Sequence, residues 1–142
     1  MKKTRLNQED DSIKFIGFTD VREKLSTLWI FVMFNYLYAD VIGLMKAETL
    51  QELITGYAGS MQITEGFLLS AAVLMETAIA MVLLSRILSY RANRWANIMV
   101  AVIFFAINVI GLPTYPQAFD KFLNIVGLGF NLITIWYAWN WV

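Results

Sequence analysis

Four long apolar runs constrain this chain more than any other feature of its sequence. They cover about residues 25–45, 64–86, 94–112 and 117–141. A helix that crosses a bilayer needs about 20 mostly apolar residues, and in lipid only helices and closed barrels satisfy their own backbone groups. None of the runs alternates polar and apolar residues, so they predict helices. The sequence therefore predicts an all-α polytopic membrane protein, a bundle of four transmembrane helices in one domain.

The composition agrees with this prediction and excludes several kinds of chemistry. Hydrophobic residues make up 58% of the chain and charged residues 15%, against about 25% charged in soluble domains. The net charge is zero, which leaves no basic patch for nucleic acid. Histidine and cysteine are both absent, so no disulfide, thiolate or histidine-ligated metal can form. We expect no cofactor, no catalytic residues and no metal ligands, and the sequence disfavours an enzyme without excluding one.

Basic residues predict the orientation of the bundle in the membrane, because cytoplasmic loops carry an excess of lysine and arginine. Two regions that would share one side are rich in them: Lys2, Lys3, Arg5, Lys14, Arg22, Lys24, and then Arg86, Arg91 and Arg94. The loops on the other side hold only Lys46 and Lys121. The sequence predicts a multi-pass protein of the plasma membrane with both termini in the cytoplasm. Residues 1–19 would form a polar, partly mobile cytoplasmic segment.

The connection between the first two runs, KAETLQELITGYAG, has a helical pattern of its own. Its apolar residues Leu50, Leu53, Ile54 and Tyr57 recur at i, i+3, i+4 and i+7, which is the spacing of one helix face. A short helix with one apolar face can lie in the plane of a membrane surface. We therefore predict a short amphipathic helix on the outer interface between the first and second spans.

Glu76 raises the main functional question, because it lies near the middle of the second run, in the stretch LMETAIAMVLLSR. A charged side chain at the bilayer centre costs at least about 2.5–3.5 kcal/mol, and intramembrane carboxylates usually face the protein interior and mark functional sites. We therefore expect Glu76 to face the interior of the bundle. The alternative is a structural glutamate, protonated and hydrogen-bonded to an asparagine.

Other polar residues recur at helical spacing and predict one polar stripe on each span. Tyr36 precedes Asp40 by one turn, and Glu65 and Glu76 are aligned, as are Asn97 and Asn108. On the fourth span the stripe consists of Asn124, Gly127 and Asn131. Stripes that meet inside a bundle would form a polar pocket. The candidate ligand-binding residues are Glu76, Asp40, Tyr36, Asn108, Asn131 and Glu65.

Structural interpretations of the same residues remain open. Asn97, Asn124 and Asn131 suit hydrogen bonds between helices. Glu65 suits an exposed acid at the start of a helix, and Asp40 can lie in a pocket or simply reach the outer interface. Only direct placement of these side chains distinguishes a pocket from packing.

Three stretches resemble a known family: STLWIFVMFNYLYADV, LMETAIAMVLLSRILSYRANRWAN and TIWYAWNW. They are similar to a family of small bacterial and archaeal four-span membrane proteins of unknown function, which is itself distantly similar to the DoxX-like proteins. The resemblance covers nearly all of the chain from Leu25 onward. It implies a fold and a membrane location, and it transfers no activity.

These observations favour binding of a small lipophilic ligand, cationic or not, in a polar pocket around Glu76 and Asp40. The alternatives are an oligomeric transporter or proton-coupled carrier, an enzyme acting on a lipid-like substrate, and a structural or partner-binding subunit. The expected partners are the lipid bilayer and the small molecule. A homo-oligomer is an open alternative.

Overall fold

The protein is described by a computed structural model that covers residues 20–115 and 117–141. Its elements, in chain order, are α1 (Val21–Leu44), α2 (Ala47–Ile54), β1 (Tyr57–Ala58), β2 (Met61–Gln62), α3 (Glu65–Ile87), α4 (Tyr90–Gly111), a 3-10 turn (Leu112–Thr114) and α5 (Ala118–Trp139). Four helices of this described part, α1, α3, α4 and α5, are long and apolar enough to cross a membrane. This confirms the predicted fold class. The predictions for residues 1–19 lie outside the described residues.

The starts of two long helices are fixed by side-chain caps. Asp20 Oδ1 accepts the backbone N–H of Arg22 at 3.0 Å at the start of α1. Thr64 Oγ1 accepts the N–H of Phe67 at 3.1 Å at the start of α3. Each cap satisfies a backbone donor that the first helical turn leaves free. Helix α1 therefore begins four residues before the predicted apolar run, because the cap and not hydropathy sets its start.

The connection between α1 and α3 contains α2 and a two-stranded hairpin that the sequence pattern did not predict. Helix α2 ends at Ile54, and Tyr57 pairs with Gln62 in the antiparallel β1–β2 hairpin. The prediction that Tyr57 extends the amphipathic helix is therefore wrong. Gly56 has a φ of 86°, the left-handed conformation that commonly terminates helices. The chain then turns again at Gly59 before α3.

Helix α1 is the centre of the bundle. It packs along α3 on one side and along α5 on the other, while α4 packs mainly against α5. The main apolar core is formed by Trp29, Val32, Ala78, Met81, Ala101 and Phe104. We call the end with α2 and the β1–β2 hairpin the hairpin end, and the end with the α3–α4 connection at Leu88 and Ser89 the turn end. The buried residues of α3 all lie in its half toward the turn end.

Candidate functional site

A buried polar network holds the bundle together at the turn end. Asn97 Oδ1 accepts the indole N–H of Trp29 at 2.7 Å and the hydroxyl of Ser85 at 3.1 Å. Its amide nitrogen donates to Asn93 Oδ1 at 2.7 Å, and Asn93 donates to the carbonyl of Ser85 at 2.6 Å. All four side chains are fully buried. The structural interpretation of Asn97 is confirmed, and this end of the bundle is closed.

A second network, nearer the hairpin end, is centred on the Tyr36 hydroxyl. Tyr36 Oη accepts the amide N–H of Asn108 at 2.6 Å and that of Asn131 at 3.2 Å. The amide nitrogen of Asn124 donates to Asn108 Oδ1 at 3.1 Å. This network, which we call the Tyr36 network (Tyr36, Asn108, Asn124, Asn131), links α1, α4 and α5. A hydroxyl carries one donor and two acceptor positions, so the two amides leave the Tyr36 hydroxyl proton as the group free to donate.

Gly127 allows α1 and α5 to approach closely beside this network. A Cβ atom at Gly127 would lie 3.1 Å from Asn35 Nδ2 and 3.3 Å from Tyr36 Cε1. Both neighbours are fixed in place. Asn35 donates to the carbonyl of Leu123 at 3.0 Å, and the Tyr36 ring stacks on Phe104 with centroids 5.7 Å apart. The glycine is therefore part of the geometry that positions Tyr36.

A cleft of about 1060 Å³ opens above the Tyr36 network at the hairpin end. Its walls come from α1, α2, the β1–β2 hairpin, the end of α4 and the start of α5. Its floor consists of three buried amide side chains, Asn35, Asn108 and Asn124, and the half-buried side chain of Tyr36. The volume is slightly above the range of about 300–1000 Å³ typical of small-molecule sites. The cleft is thus large enough for a small organic ligand.

Acidic residues outnumber basic ones around the cleft. The ionisable carboxyl and amino side chains that line it are Asp40, Glu48, Glu52, Asp120 and Lys46. Lys46 Nζ lies 3.0 Å from Asp120 Oδ2 in a mostly buried ion pair, so the lysine charge is already balanced. Within the described residues no basic side chain pairs with Asp40 or Glu48. The remaining field of the cleft is negative, and such a field attracts cations.

Asp40 lies at a depth where a carboxylate is tolerated. It is one turn before Leu44, the end of α1, which places it about 6 Å from the helix end at a rise of about 1.5 Å per residue. Its side chain is exposed along the cleft. Asp40 therefore lines the cleft and also lies close to the end of the helix, so both interpretations left open for it describe its position.

The predicted site residues divide into two groups. Asp40, Tyr36 and Asn108 line the cleft, and Asn131 lies behind Tyr36, fully buried and bonded to its hydroxyl. Glu65 and Glu76 do not line the cleft. Glu65 is the exposed first residue of α3, as the alternative interpretation expected. Three of the six predicted residues thus line the cleft, and a fourth lies directly behind it.

The prediction that Glu76 faces the interior is wrong, since its side chain is exposed on the outer surface of the bundle. Helix α3 turns Ala78, Met81 and Ser85 inward. Glu76 precedes Ala78 by two residues, about 200° around the helix axis at about 3.6 residues per turn. The burial of Ala78 in the core and the hydrogen bonds of Ser85 set the rotation of α3, and that rotation directs Glu76 outward.

Several cleft residues were not predicted as ligand-binding. Asn124 was placed in the polar stripe of the fourth span but not among the candidate ligand-binding residues, and Lys46 was used only for topology. Asn35, Glu48, Glu52, Tyr115 and Asp120 were not singled out. One signal for the cleft was available in the sequence. Lys46 and Asp120 carry opposite charges, and each lies next to the end of a predicted span at the same membrane surface, so an ion pair between them could have been predicted. The acids of α2 enter the site because the hairpin folds α2 over the bundle end, which the pattern did not indicate.

The cleft offers hydrogen bonding and negative charge, and no group of three or more acidic residues in the described part is placed to hold a metal ion. Asn124 Oδ1 and Asn131 Oδ1 are buried without a hydrogen-bond donor among the described residues. A buried acceptor without a donor costs about 1–3 kcal/mol. A donor that enters beside the Tyr36 network can recover part of that cost.

These features define a small multi-pass α-helical membrane protein whose polar cleft lies at one end of its bundle. Residues 13–142 match the model of DUF6326, a family of unknown function, and the chain belongs to that family. Comparison with curated proteins and with solved structures gave no match.

Proposed function

We propose that this membrane protein binds a small lipophilic organic cation in the cleft above the Tyr36 network. Asp40 serves as the counter-ion, and the Tyr36 hydroxyl and neighbouring amides receive the polar end of the ligand. The observation that carries the proposal is the excess of acids over Lys46 around a cleft with a buried amide floor. The proposed site thus lies in this cleft and not around Glu76, whereas Asp40 keeps the ligand-binding role that the sequence predicted for it.

The polar floor predicts the orientation in which a ligand would bind in the cleft. Ligand donors meet Asp40 first and the Tyr36 network further down, whereas Leu44, Leu53 and Met61 supply apolar wall. A ligand with an ammonium group and an apolar chain can contact both the polar floor and the apolar wall. A ligand donor that reaches Asn124 Oδ1 supplies the partner which that acceptor lacks.

The experiment is a binding measurement in lipid nanodiscs with decylamine and its uncharged analogue decanol, using empty nanodiscs of the same lipid to subtract partitioning. We expect saturable binding of the amine and little of the alcohol. Asp40→Asn should weaken amine binding by about tenfold, as expected for one charge interaction of about 1.4 kcal/mol in a partly hydrated cleft. Glu65→Gln, at the same end but outside the cleft, is the matched control. Equal loss in both variants, or equal binding of amine and alcohol, would refute the proposal.

A structural role is the second candidate, since most polar side chains inside the bundle bond to one another. Asn97 alone joins Trp29, Ser85 and Asn93. If the polar side chains serve only to hold the helices together, Asp40→Asn should leave both the stability and the amine binding of the protein unchanged. A transporter is less well supported because the turn end is closed by fully buried side chains, so the cleft lies at one end of the bundle.

The orientation belongs to the same proposal. The turn end carries Arg22, Arg86, Arg91 and Arg94, whereas the hairpin end carries Lys46 and Lys121. By the bias of cytoplasmic loops toward basic residues, the turn end and both termini lie in the cytoplasm of a plasma-membrane protein and the cleft faces outward. A distant relation to DoxX-like proteins is consistent with the four-helix bundle and remains part of the proposal.

A further inference from the structure

Glu76 lies midway along α3, between Glu65 and Ile87. It is therefore about 17 Å from either end of the helix at a rise of about 1.5 Å per residue. Its side chain is exposed on the outer surface of the bundle. Among the described residues no side chain or backbone group hydrogen-bonds to its carboxyl. The structure thus leaves a carboxyl group at the centre of a membrane-spanning helix, on a surface that lipid would otherwise cover.

The neighbouring polar side chains of α3, by contrast, have hydrogen-bond partners. The hydroxyl of Thr77 donates to the carbonyl of Val73, and the hydroxyl of Ser70 donates to that of Phe67, each at 2.8 Å. Both are satisfied within the helix itself. Glu76 is the one polar side chain in the central turns of α3 that has no hydrogen-bond partner among the described residues. Carboxyl groups at this depth normally face protein or pair with one another.

The surface around Glu76 suits close approach of another helix. Ala72 and Ala80 lie one turn before and one turn after it, and both are exposed on the same face. Helix α3 packs along α1 on its other side and makes only limited contact with α4. Small residues at these positions allow two helix backbones to come near enough for side-chain hydrogen bonds.

We infer that this face of α3, the Glu76 face (Ala72, Glu76, Ala80), binds a second copy of the chain. A two-fold axis along the membrane normal brings identical residues together at the same depth. A carboxyl in its acid form is both donor and acceptor, so two Glu76 side chains satisfy each other. Acyl chains offer neither donor nor acceptor, and a second copy presents the matching group at the matching depth.

Single-cysteine cross-linking tests this arrangement directly, because the natural sequence has no cysteine. Ala72→Cys should form a disulfide-linked dimer in lipid bilayers under mild oxidation. Ile125→Cys is the control, since Ile125 is also exposed and lies equally far from the hairpin end, but on α5. Equal cross-linking at both positions would indicate random collision and overturn the inference.

Variants of Glu76 test the chemistry of the contact. In bilayers with lipid in large excess, subunit counting of the unmodified chain should give dimers. Glu76→Leu should weaken the dimer by about tenfold, as expected for lost hydrogen bonds between helices, whereas Glu76→Gln retains a donor and an acceptor and should remain dimeric. A monomeric unmodified chain, or an unaffected Glu76→Leu dimer, would overturn the inference. Circular dichroism checks that Glu76→Leu is folded, and its amine binding should be unchanged, so failure here is distinct from failure of the proposed cleft.

Discussion

Gly127 gives the sharpest single-residue prediction, because a second glycine of α5 provides a control only two positions away. Gly127→Ala places a methyl group 3.1 Å from Asn35 Nδ2 and 3.3 Å from Tyr36 Cε1, whereas a Cβ at Gly129 meets nothing within 4 Å. Both neighbours of Gly127 are held by their own contacts, Asn35 by Leu123 and Tyr36 by the network. The added methyl group therefore forces strain rather than filling space.

The expected magnitude follows from two opposing effects. Replacing glycine by alanine inside a helix gains about 0.5–1 kcal/mol, and overpacking a fitted contact costs about 1–3 kcal/mol. Gly129→Ala should show only the gain and Gly127→Ala the gain minus the cost. We expect the free energy of unfolding of Gly127→Ala to lie about 1–3 kcal/mol below that of Gly129→Ala.

The assay is reversible unfolding of both variants in mixed micelles with increasing denaturing detergent, followed by tryptophan fluorescence. Decylamine binding provides a second readout, because displacement of Tyr36 disturbs the cleft floor. Gly127→Ala should weaken amine binding and Gly129→Ala should not. Equal stabilities of the two variants would refute the proposed close approach of α1 and α5.

Three further predictions concern other parts of the molecule. Asn97→Leu should lower the free energy of unfolding by about 1–3 kcal/mol, because it leaves the Trp29 and Ser85 donors without an acceptor. A double-mutant cycle with Trp29→Phe should give a coupling energy of about 0.5–2 kcal/mol, and zero coupling would contradict the hydrogen bond between Trp29 and Asn97. Lys46→Gln should raise decylamine affinity by roughly fivefold at low salt, and less at high salt, because it removes a positive charge from the cleft wall; unchanged affinity would argue against charge-driven binding. A membrane-impermeant maleimide should label Gln51→Cys but not Ser89→Cys in intact cells, and the reverse pattern would invert the orientation.

The sequence alone predicts the long helices, because runs such as residues 64–86 have the length and hydropathy that a bilayer demands. It also predicts which amides face inward on α4 and α5, since Asn97 and Asn108, or Asn124 and Asn131, repeat at helical spacing and occupy otherwise apolar helices. These spacings have one physical cause: a polar side chain inside the membrane must form hydrogen bonds with other groups of the protein. The helices that carry them have no other way to satisfy this requirement.

Glu76 shows where this reasoning fails. The rule that a mid-membrane carboxyl faces protein does not state which protein surface it faces, and the rotation of α3 is set by Ala78, Met81 and Ser85 instead. The contributions of α2 to the cleft were also beyond the sequence pattern. They depend on Gly56 and Gly59, whose positive φ values end the helix and fold the hairpin back over the bundle.

Photoaffinity labelling can show where the ligand binds, and so whether its site is the cleft above the Tyr36 network. A decylamine derivative with a photoreactive group at the end of its chain would be bound in nanodiscs, activated by light and mapped by peptide mass spectrometry. If the ligand binds in this cleft, we expect saturable labels on α2, the hairpin and the Tyr115 region, abolished by excess decylamine and reduced in Asp40→Asn. Labels concentrated on α3 around Glu76, or spread evenly over all lipid-facing surfaces, would contradict a site in this cleft.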